Sequence, residues 1–131
     1  MNVLTATDTE LFDKLCQKIL ELDSKIRFAG VISEMGKIIS SSEKKGIKPI
    51  LDKPELEMLF MEVALRVRMR HQFDRKLGVV DYTVSKRKRL VVMSFPYRNC
   101  ILYATTEKDT NVDSITQKIS ELIRSPELIE S

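Results

Sequence analysis

The chain has 131 residues, of which 43% are apolar and 31% are charged, as expected for one globular domain that buries a sizeable core. The formal net charge of +3 is mild, whereas nucleic-acid binders usually carry a larger and more clustered excess. No apolar run approaches the length of a membrane span, so we expect no membrane contact. Together, these features predict a single soluble domain over residues 1–131 with no main role in binding nucleic acid.

Cysteine and histidine usage does not point to a metal site. Cys16 and Cys100 lie far apart within apolar patterns, and His71 alone cannot complete a conventional zinc site with them. Residues 1–5 lack a basic region followed by an apolar one. We therefore expect buried free thiols, no cofactor and a cytoplasmic protein.

A helix and a strand hairpin are predicted for the first part of the chain. Apolar residues recur at helical intervals over residues 8–23. Residues 25–33 are dense in strand formers, and a short turn at residues 34–36 lets residues 37–41 pair back as a second strand. Alternation within the first strand places one set of residues on a common face: Ile26, Phe28, Gly30 and Ile32.

A loop and then one long helix are predicted next. Residues 42–53 mix Ser, Lys, Gly and Pro, and we expect the apolar side chains of this loop to pin it onto the core: Ile47, Ile50 and Leu51. Pro54 suits the first turn of a helix and Gly78 can end it, so the helix is predicted to span residues 54–78.

This long helix is apolar on two opposite sides. At about 100° per residue, one set of side chains forms a stripe: Leu56, Leu59, Phe60, Val63 and Val67. A second set, which we call the methionine stripe, lies roughly 180° away: Met58, Met61, Leu65 and Met69. A helix on the surface of a monomer needs only one apolar stripe, so the second predicts contact with a further partner.

We assign the Leu56–Val67 side to the sheet and the methionine stripe to a homodimer interface. Burial of four such side chains stabilises a dimer by roughly 1.5–3 kcal/mol each before association costs are subtracted, and methionine adapts to varied partners. Two alternatives stay open. The first helix or the loop would cover the stripe within one chain, or the two sides would exchange roles.

Three strands and a helix are predicted for the rest of the chain. The strands span residues 79–85, 90–95 and 100–105, and the helix runs from about Val112 to Arg124. Short links make each group of strands a meander, and the long helix must cross the sheet to join the groups. The fold class is therefore α+β, with a five-stranded, mostly antiparallel sheet and the element order α-β-β-α-β-β-β-α.

Four consecutive basic residues lie at the tip of the hairpin between the first two of these strands: Lys86, Arg87, Lys88 and Arg89. Such a cluster suits contact with an acidic protein surface, a phosphate or a nucleic acid. The alternative is a solvated turn whose charges keep the strand ends from aggregating.

The element order, with Phe28-Ala-Gly-Val-Ile-Ser-Glu-Met-Gly36 as the first hairpin, resembles the dynein light-chain roadblock superfamily and its longin and profilin-like relatives. The segment Ile26-Arg-Phe-Ala-Gly-Val-Ile32, with Met69-Arg70 and Phe73-Asp74, is similar to a family of uncharacterised small archaeal proteins. The superfamily resemblance implies dimers in which the central helices pack together and the sheets join at an edge. It also implies a scaffold or regulator of small GTPases, without catalytic residues.

The sequence alone gives no catalytic signature, so we expect a non-enzymatic module. Its four glycines are scattered rather than gathered in a phosphate-binding loop, and neither a metal-ligand cluster nor a Ser-His-Asp set is apparent. The predicted function is a homodimeric interaction or regulatory module of roadblock type. The alternative is a PAS-like sensor that binds a small molecule between sheet and helix, in a cavity lined by aromatic residues: Phe28, Tyr82, Phe95, Tyr97 and Tyr103.

Overall fold

A computed structural model describes residues 6–125 of the chain. Residues 1–5, on which the expected cytoplasmic location partly depends, lie outside the described residues. The prediction of one domain over residues 1–131 likewise covers more of the chain than the structure describes. The elements follow in chain order: α1 (Ala6–Leu22), β1 (Ile26–Ser33), β2 (Ile38–Glu43), α2 (Lys53–Arg70), a 3-10 turn (His71–Phe73), α3 (Asp74–Leu77), β3 (Thr83–Lys86), β4 (Leu90–Tyr97), β5 (Cys100–Glu107) and α4 (Val112–Ile123).

The five strands form one sheet in the order β2-β1-β5-β4-β3, and every neighbouring pair is antiparallel. The predicted α+β fold class and element order are confirmed. Because β1 pairs with β5 at the centre, α2 joins the outer strand β2 to the opposite outer strand β3 by crossing the sheet. None of the helices within residues 6–125 is both long and apolar enough to cross a membrane.

The sheet is covered on both faces. One face packs against α1 and α4, whose buried side chains form its core: Phe12, Leu15, Cys16, Ile19, Ile115 and Ile119. The other face packs against α2 through a second set: Phe60, Val63, Ala64 and Val67. Leu56 and Leu59 are partly buried against this second core, so the assignment of the Leu56–Val67 side to the sheet is confirmed.

A β-bulge changes which face the start of β1 presents. The pairing of β1 with β5 shifts register between Ile26 and Phe28. Ile26 therefore joins Ala29 and Val31 in the α1 core, while Phe28 and Ile32 lie on the α2 face. The prediction that Ile26 and Phe28 share a face was wrong, because an extra residue in a strand breaks its two-residue alternation.

The prediction of one continuous helix over residues 54–78 was also wrong. α2 ends at Arg70, the 3-10 turn follows, and α3 is a separate short helix that Gly78 ends with φ +88°. The ring Nδ1 of His71 lies 2.9 Å from Asp74 Oδ2, a side-chain contact that links the turn to the start of α3. The 3-10 turn therefore separates α3 from α2 by three residues.

β3 is shorter than the predicted strand over residues 79–85. Its pairing begins with Thr83 opposite Ser94, and the next residues of β4 are Phe95 and Pro96. Proline has no backbone N–H, so it cannot donate a hydrogen bond to a longer β3. The chain before Thr83 therefore stays outside the sheet.

Candidate interaction surface and groove

The methionine stripe faces away from the protein. Its side chains are half or more exposed: Met58 71%, Met61 61%, Leu65 50% and Met69 57%. Since α1 packs on the opposite face of the sheet, none of residues 6–125 covers the stripe, and the alternative of burial against α1 or the loop is wrong for this part of the chain. The inverted assignment, with the stripe on the sheet, is wrong for the same reason.

The start of α2 is fixed by a capping box. The backbone N–H of Glu55 donates to Asp52 Oδ1 at 2.9 Å, and the backbone N–H of Asp52 donates to Glu55 Oε1 at 3.0 Å. This reciprocal pair satisfies two backbone donors that a helix otherwise leaves free. The capping box therefore fixes the residue at which α2 begins, and this sets the position of Met58 along the helix.

The β1–β2 turn fixes the middle of α2. Gly36, at φ +84°, lies so close to the helix that a Cβ atom on it would stand 2.9 Å from Met61 Cα. Beside it, Met35 is 63% exposed, and Arg68 Nη1 donates to its sulfur at 3.5 Å. Met35 therefore extends the exposed apolar surface beyond the methionine stripe, which helical periodicity alone does not show.

The four basic residues of the β3–β4 hairpin divide between the two faces of the sheet. Lys86 pairs with Val91, whose side chain lies in the α1 core, and directly opposed residues point to the same face. Arg87, Lys88 and Arg89 form the hairpin tip and lie on the α2 side. Three of the four predicted residues are thus brought together, and Lys86 is not.

These three cations border a groove of about 820 Å³ between the sheet and the first half of α2. The sheet and the helix supply its apolar floor, and residues 44–52, which we call the crossover loop, form its outer wall. Six side chains define its floor: Phe28, Leu56, Leu59, Leu90, Val92 and Tyr103. A ligand cavity between sheet and helix was part of the sensor alternative.

The aromatic residues predicted to line that space are separated by the sheet. Phe28 and Tyr103 lie in the groove with ring centroids 5.8 Å apart. Phe95 and Tyr97 are buried in the α1 core, and Tyr82 stacks on Phe95 at 5.8 Å. The prediction was therefore wrong for three of the five, because the alternation of β4 sends its aromatic residues to the other face.

The crossover loop is not pinned onto the core as expected. Ile47, Ile50 and Leu51 belong to neither core cluster and instead line the groove, where Ile50 is 50% exposed. The loop is held by Arg27, whose Nη2 donates to the carbonyl oxygen of Lys48 at 3.1 Å while Nη1 pairs with Glu107 at 2.7 Å. The sequence analysis missed this role of Arg27, because Lys48 and Glu107 meet it only after folding.

Burial sets the protonation of the groove tyrosine and of the core thiol. Tyr103 is 1% exposed, and burial raises the pKa of its phenol far above the ordinary value, so it stays neutral. On the opposite face, burial raises the pKa of the Cys16 thiol to about 11. Both cysteines are free, with Cys16 buried and Cys100 partly exposed. A thiol that stays protonated is a poor nucleophile.

The fold is similar to solved structures of low sequence identity. MglB, a gliding protein from Thermus thermophilus, has a TM-score of 0.72 at 15% identity, over 98% of this chain and 94% of that one. A roadblock/LC7 domain from Streptomyces avermitilis has a TM-score of 0.68 at 13% identity, over 89% and 97%. An MglB with a tetrameric arrangement has a TM-score of 0.71 at 16% identity, over 98% and 93%.

These similarities, with a further one to a profilin, confirm the predicted roadblock and profilin-like fold. No curated protein sequence matches the chain. Residues 6–126 match a sequence family that has no assigned function, which confirms the predicted resemblance to an uncharacterised family. The archaeal origin of that family stays a prediction. The chain therefore belongs to the family of unknown function DUF6659.

Proposed function

We propose that the protein is a non-catalytic, homodimeric interaction module of roadblock type that acts in the cytoplasm. The observation that supports this most directly is the methionine stripe, an exposed apolar helix face on a domain whose core is already complete on both sides of the sheet. Large exposed apolar patches on soluble domains mark interaction sites. The similar MglB with a tetrameric arrangement is a multi-chain assembly of this fold.

The exposed fractions indicate how strong such a dimer should be. Each stripe residue retains half or more of its surface to bury, worth roughly 1–2 kcal/mol. A symmetric pair buries eight such side chains, or about 8–16 kcal/mol, against an association cost of about 4–15 kcal/mol. A micromolar dissociation constant corresponds to a net gain of about 8 kcal/mol, which these ranges reach only when the burial term is near its upper value and the association cost is near its lower value.

The partner that the roadblock resemblance implies is a small GTPase, and we propose that the dimer presents a joined surface to it. Two paired α2 helices with the neighbouring β1–β2 turns would form a broad surface, which one chain alone does not provide. Co-purification from the native cell, with the bound proteins identified, tests this part. A small GTPase retained by the wild type and lost with Leu65→Asp supports it, and equal retention by both refutes a role of the dimer.

Leu65→Asp tests the dimer itself. Leu65 lies in the middle of the stripe at 50% exposure, so a carboxylate there should separate subunits without removing a core contact. Sedimentation velocity over a concentration series should show a dimer for the wild type and a monomer for the variant. Thermal unfolding of the two proteins at low concentration should be similar.

Leu77→Asp is the matched control, because Leu77 is 81% exposed but lies on α3, outside the stripe. It introduces the same charge and should leave the dimer intact. A wild type that remains monomeric at tens of micromolar refutes the proposal. Loss of folding in Leu65→Asp would equally refute it, since it would place that side in the core.

A further inference from the structure

We propose that the groove between α2 and the sheet binds a small amphipathic anion, a molecule with an aliphatic or aromatic body and one carboxylate or phosphate group. This inference goes beyond the proposed interaction role and does not depend on the dimer. It rests on the apolar lining, the unpaired cations at one end and the way the outer wall is held.

The groove has the size and lining of a ligand site. Its volume of about 820 Å³ falls within the usual range for small-molecule pockets, roughly 300–1,000 Å³. Apolar side chains line both its floor and its outer wall, with Leu56 and Leu59 on the floor and Ile47, Ile50 and Leu51 on the loop wall. Since the loop side chains pack in neither core, an apolar ligand body would cover surface that the chain itself leaves exposed.

Charge gives the groove a direction. Arg87, Lys88 and Arg89 lie at the end next to β3 and β4, and among residues 6–125 none of them forms an ion pair. On the far edge of the sheet, with β1 and β5 in between, Glu43 of β2 borders the opposite end. An anionic head group is therefore attracted to the hairpin and repelled from the other end, which places the apolar body across the floor.

The remaining charged side chains of the lining are already engaged. Glu55 forms the capping box with Asp52, Glu62 pairs with Arg66 at 3.4 Å, and Arg27 pairs with Glu107. Arg27 also holds the crossover loop through Lys48, so the outer wall is attached to the sheet. The hairpin cations are thus the lining charges that a ligand anion meets without displacing an existing ion pair.

Binding is tested with dodecanoate, and with dodecyltrimethylammonium as a probe of the same chain length and opposite charge, both below their micelle concentrations. Isothermal titration calorimetry on the full chain should give one site per chain for dodecanoate. The cationic probe should bind about tenfold more weakly or worse, since it loses the attraction of the hairpin. Inorganic phosphate alone should also bind more weakly than decyl phosphate, because it has no apolar body.

Two pairs of variants locate the site. Arg87→Glu with Arg89→Glu should weaken dodecanoate binding by about tenfold or more, whereas Arg75→Glu with Lys76→Glu makes the same charge change on α3 and should not. Ile50→Asp in the loop wall should also weaken binding, whereas Val79→Asp, 75% exposed and outside the groove, should not. All of these positions are exposed, so the fold should tolerate the changes.

The proposal is overturned if the cationic probe binds as well as dodecanoate, or if the control variants lose binding equally. Equal affinity for inorganic phosphate and decyl phosphate would overturn it too, since the apolar floor would then contribute nothing. Anionic phospholipid vesicles provide the last arm. Cosedimentation with vesicles, without binding of monomeric dodecanoate, would assign the hairpin to a membrane surface instead.

Discussion

Replacing Gly36 by alanine should destabilise the domain through its contact with α2. Gly36 has φ +84°, a left-handed conformation that costs an alanine about 1–2 kcal/mol. The new Cβ would also lie 2.9 Å from Met61 Cα and 3.1 Å from the backbone oxygen of Phe60. Because those are backbone atoms of a packed helix, relief requires the turn or the helix to move, and overpacking of this kind costs about 1–3 kcal/mol. We expect a total loss of about 2–5 kcal/mol.

Gly46→Ala is the control that separates conformational strain from contact. Gly46 has a similar φ of +82°, but no atom lies within 4 Å of a Cβ placed there. The free energy of unfolding of Gly46→Ala should therefore fall by only about 1–2 kcal/mol, from the conformational strain alone. The free energy of unfolding, measured by urea titration with each variant at the same low concentration, gives the difference directly. Equal losses in the two variants would refute the reasoning, because the contact between the turn and α2 would then contribute nothing.

Two further changes test the start of α2 and the α1 core. Asp52→Ala removes the capping-box acceptor and should lower the free energy of unfolding by about 1 kcal/mol in urea titrations. Asp52→Asn keeps an acceptor oxygen and should retain most of that stability. Equal unfolding free energies for both variants and the wild type would contradict the capping role. Burial raises the pKa of the Cys16 thiol from its ordinary 9.0 to about 11, so the unfolded chain loses this proton first as the pH rises. The contribution of the Cys16 thiol to the free energy of unfolding is therefore fully present below pH 9 and declines between pH 9 and 11. Urea titrations across that range should show a smaller decline in Cys16→Ala, and an identical decline would contradict the assignment.

The element order and the sheet-facing side of α2 could be predicted from the sequence because their signals are local. Helical periodicity relates residues three or four positions apart, so Phe60 and Val63 identify the sheet side without knowledge of the sheet. The same periodicity identifies Met61 and Leu65 as exposed. Whether these residues meet a second copy depends on another molecule, so the dimer stays a prediction.

The parts that could not be predicted depend on residues distant in sequence. The face of Ile26 follows from a bulge in its register with β5, and the length of β3 follows from Pro96 in the neighbouring strand. The separation of Lys86 from Arg87 follows from the pairing of β3 with β4. Arg27 attaches the outer wall of the groove to the sheet through Lys48, a contact between distant segments that no periodicity records.

Met58 belongs to two surfaces at once, since it is 71% exposed in the methionine stripe and also borders the groove. One side chain has one set of rotamers, so a subunit contact that restricts Met58 changes the conformations available to the groove wall. Thermodynamic linkage then makes the effect reciprocal: whatever factor a groove ligand applies to the dimer constant, dimerisation applies to the ligand constant. A more rigid residue such as isoleucine at position 58 should alter that shared factor, even if each constant measured alone changes little.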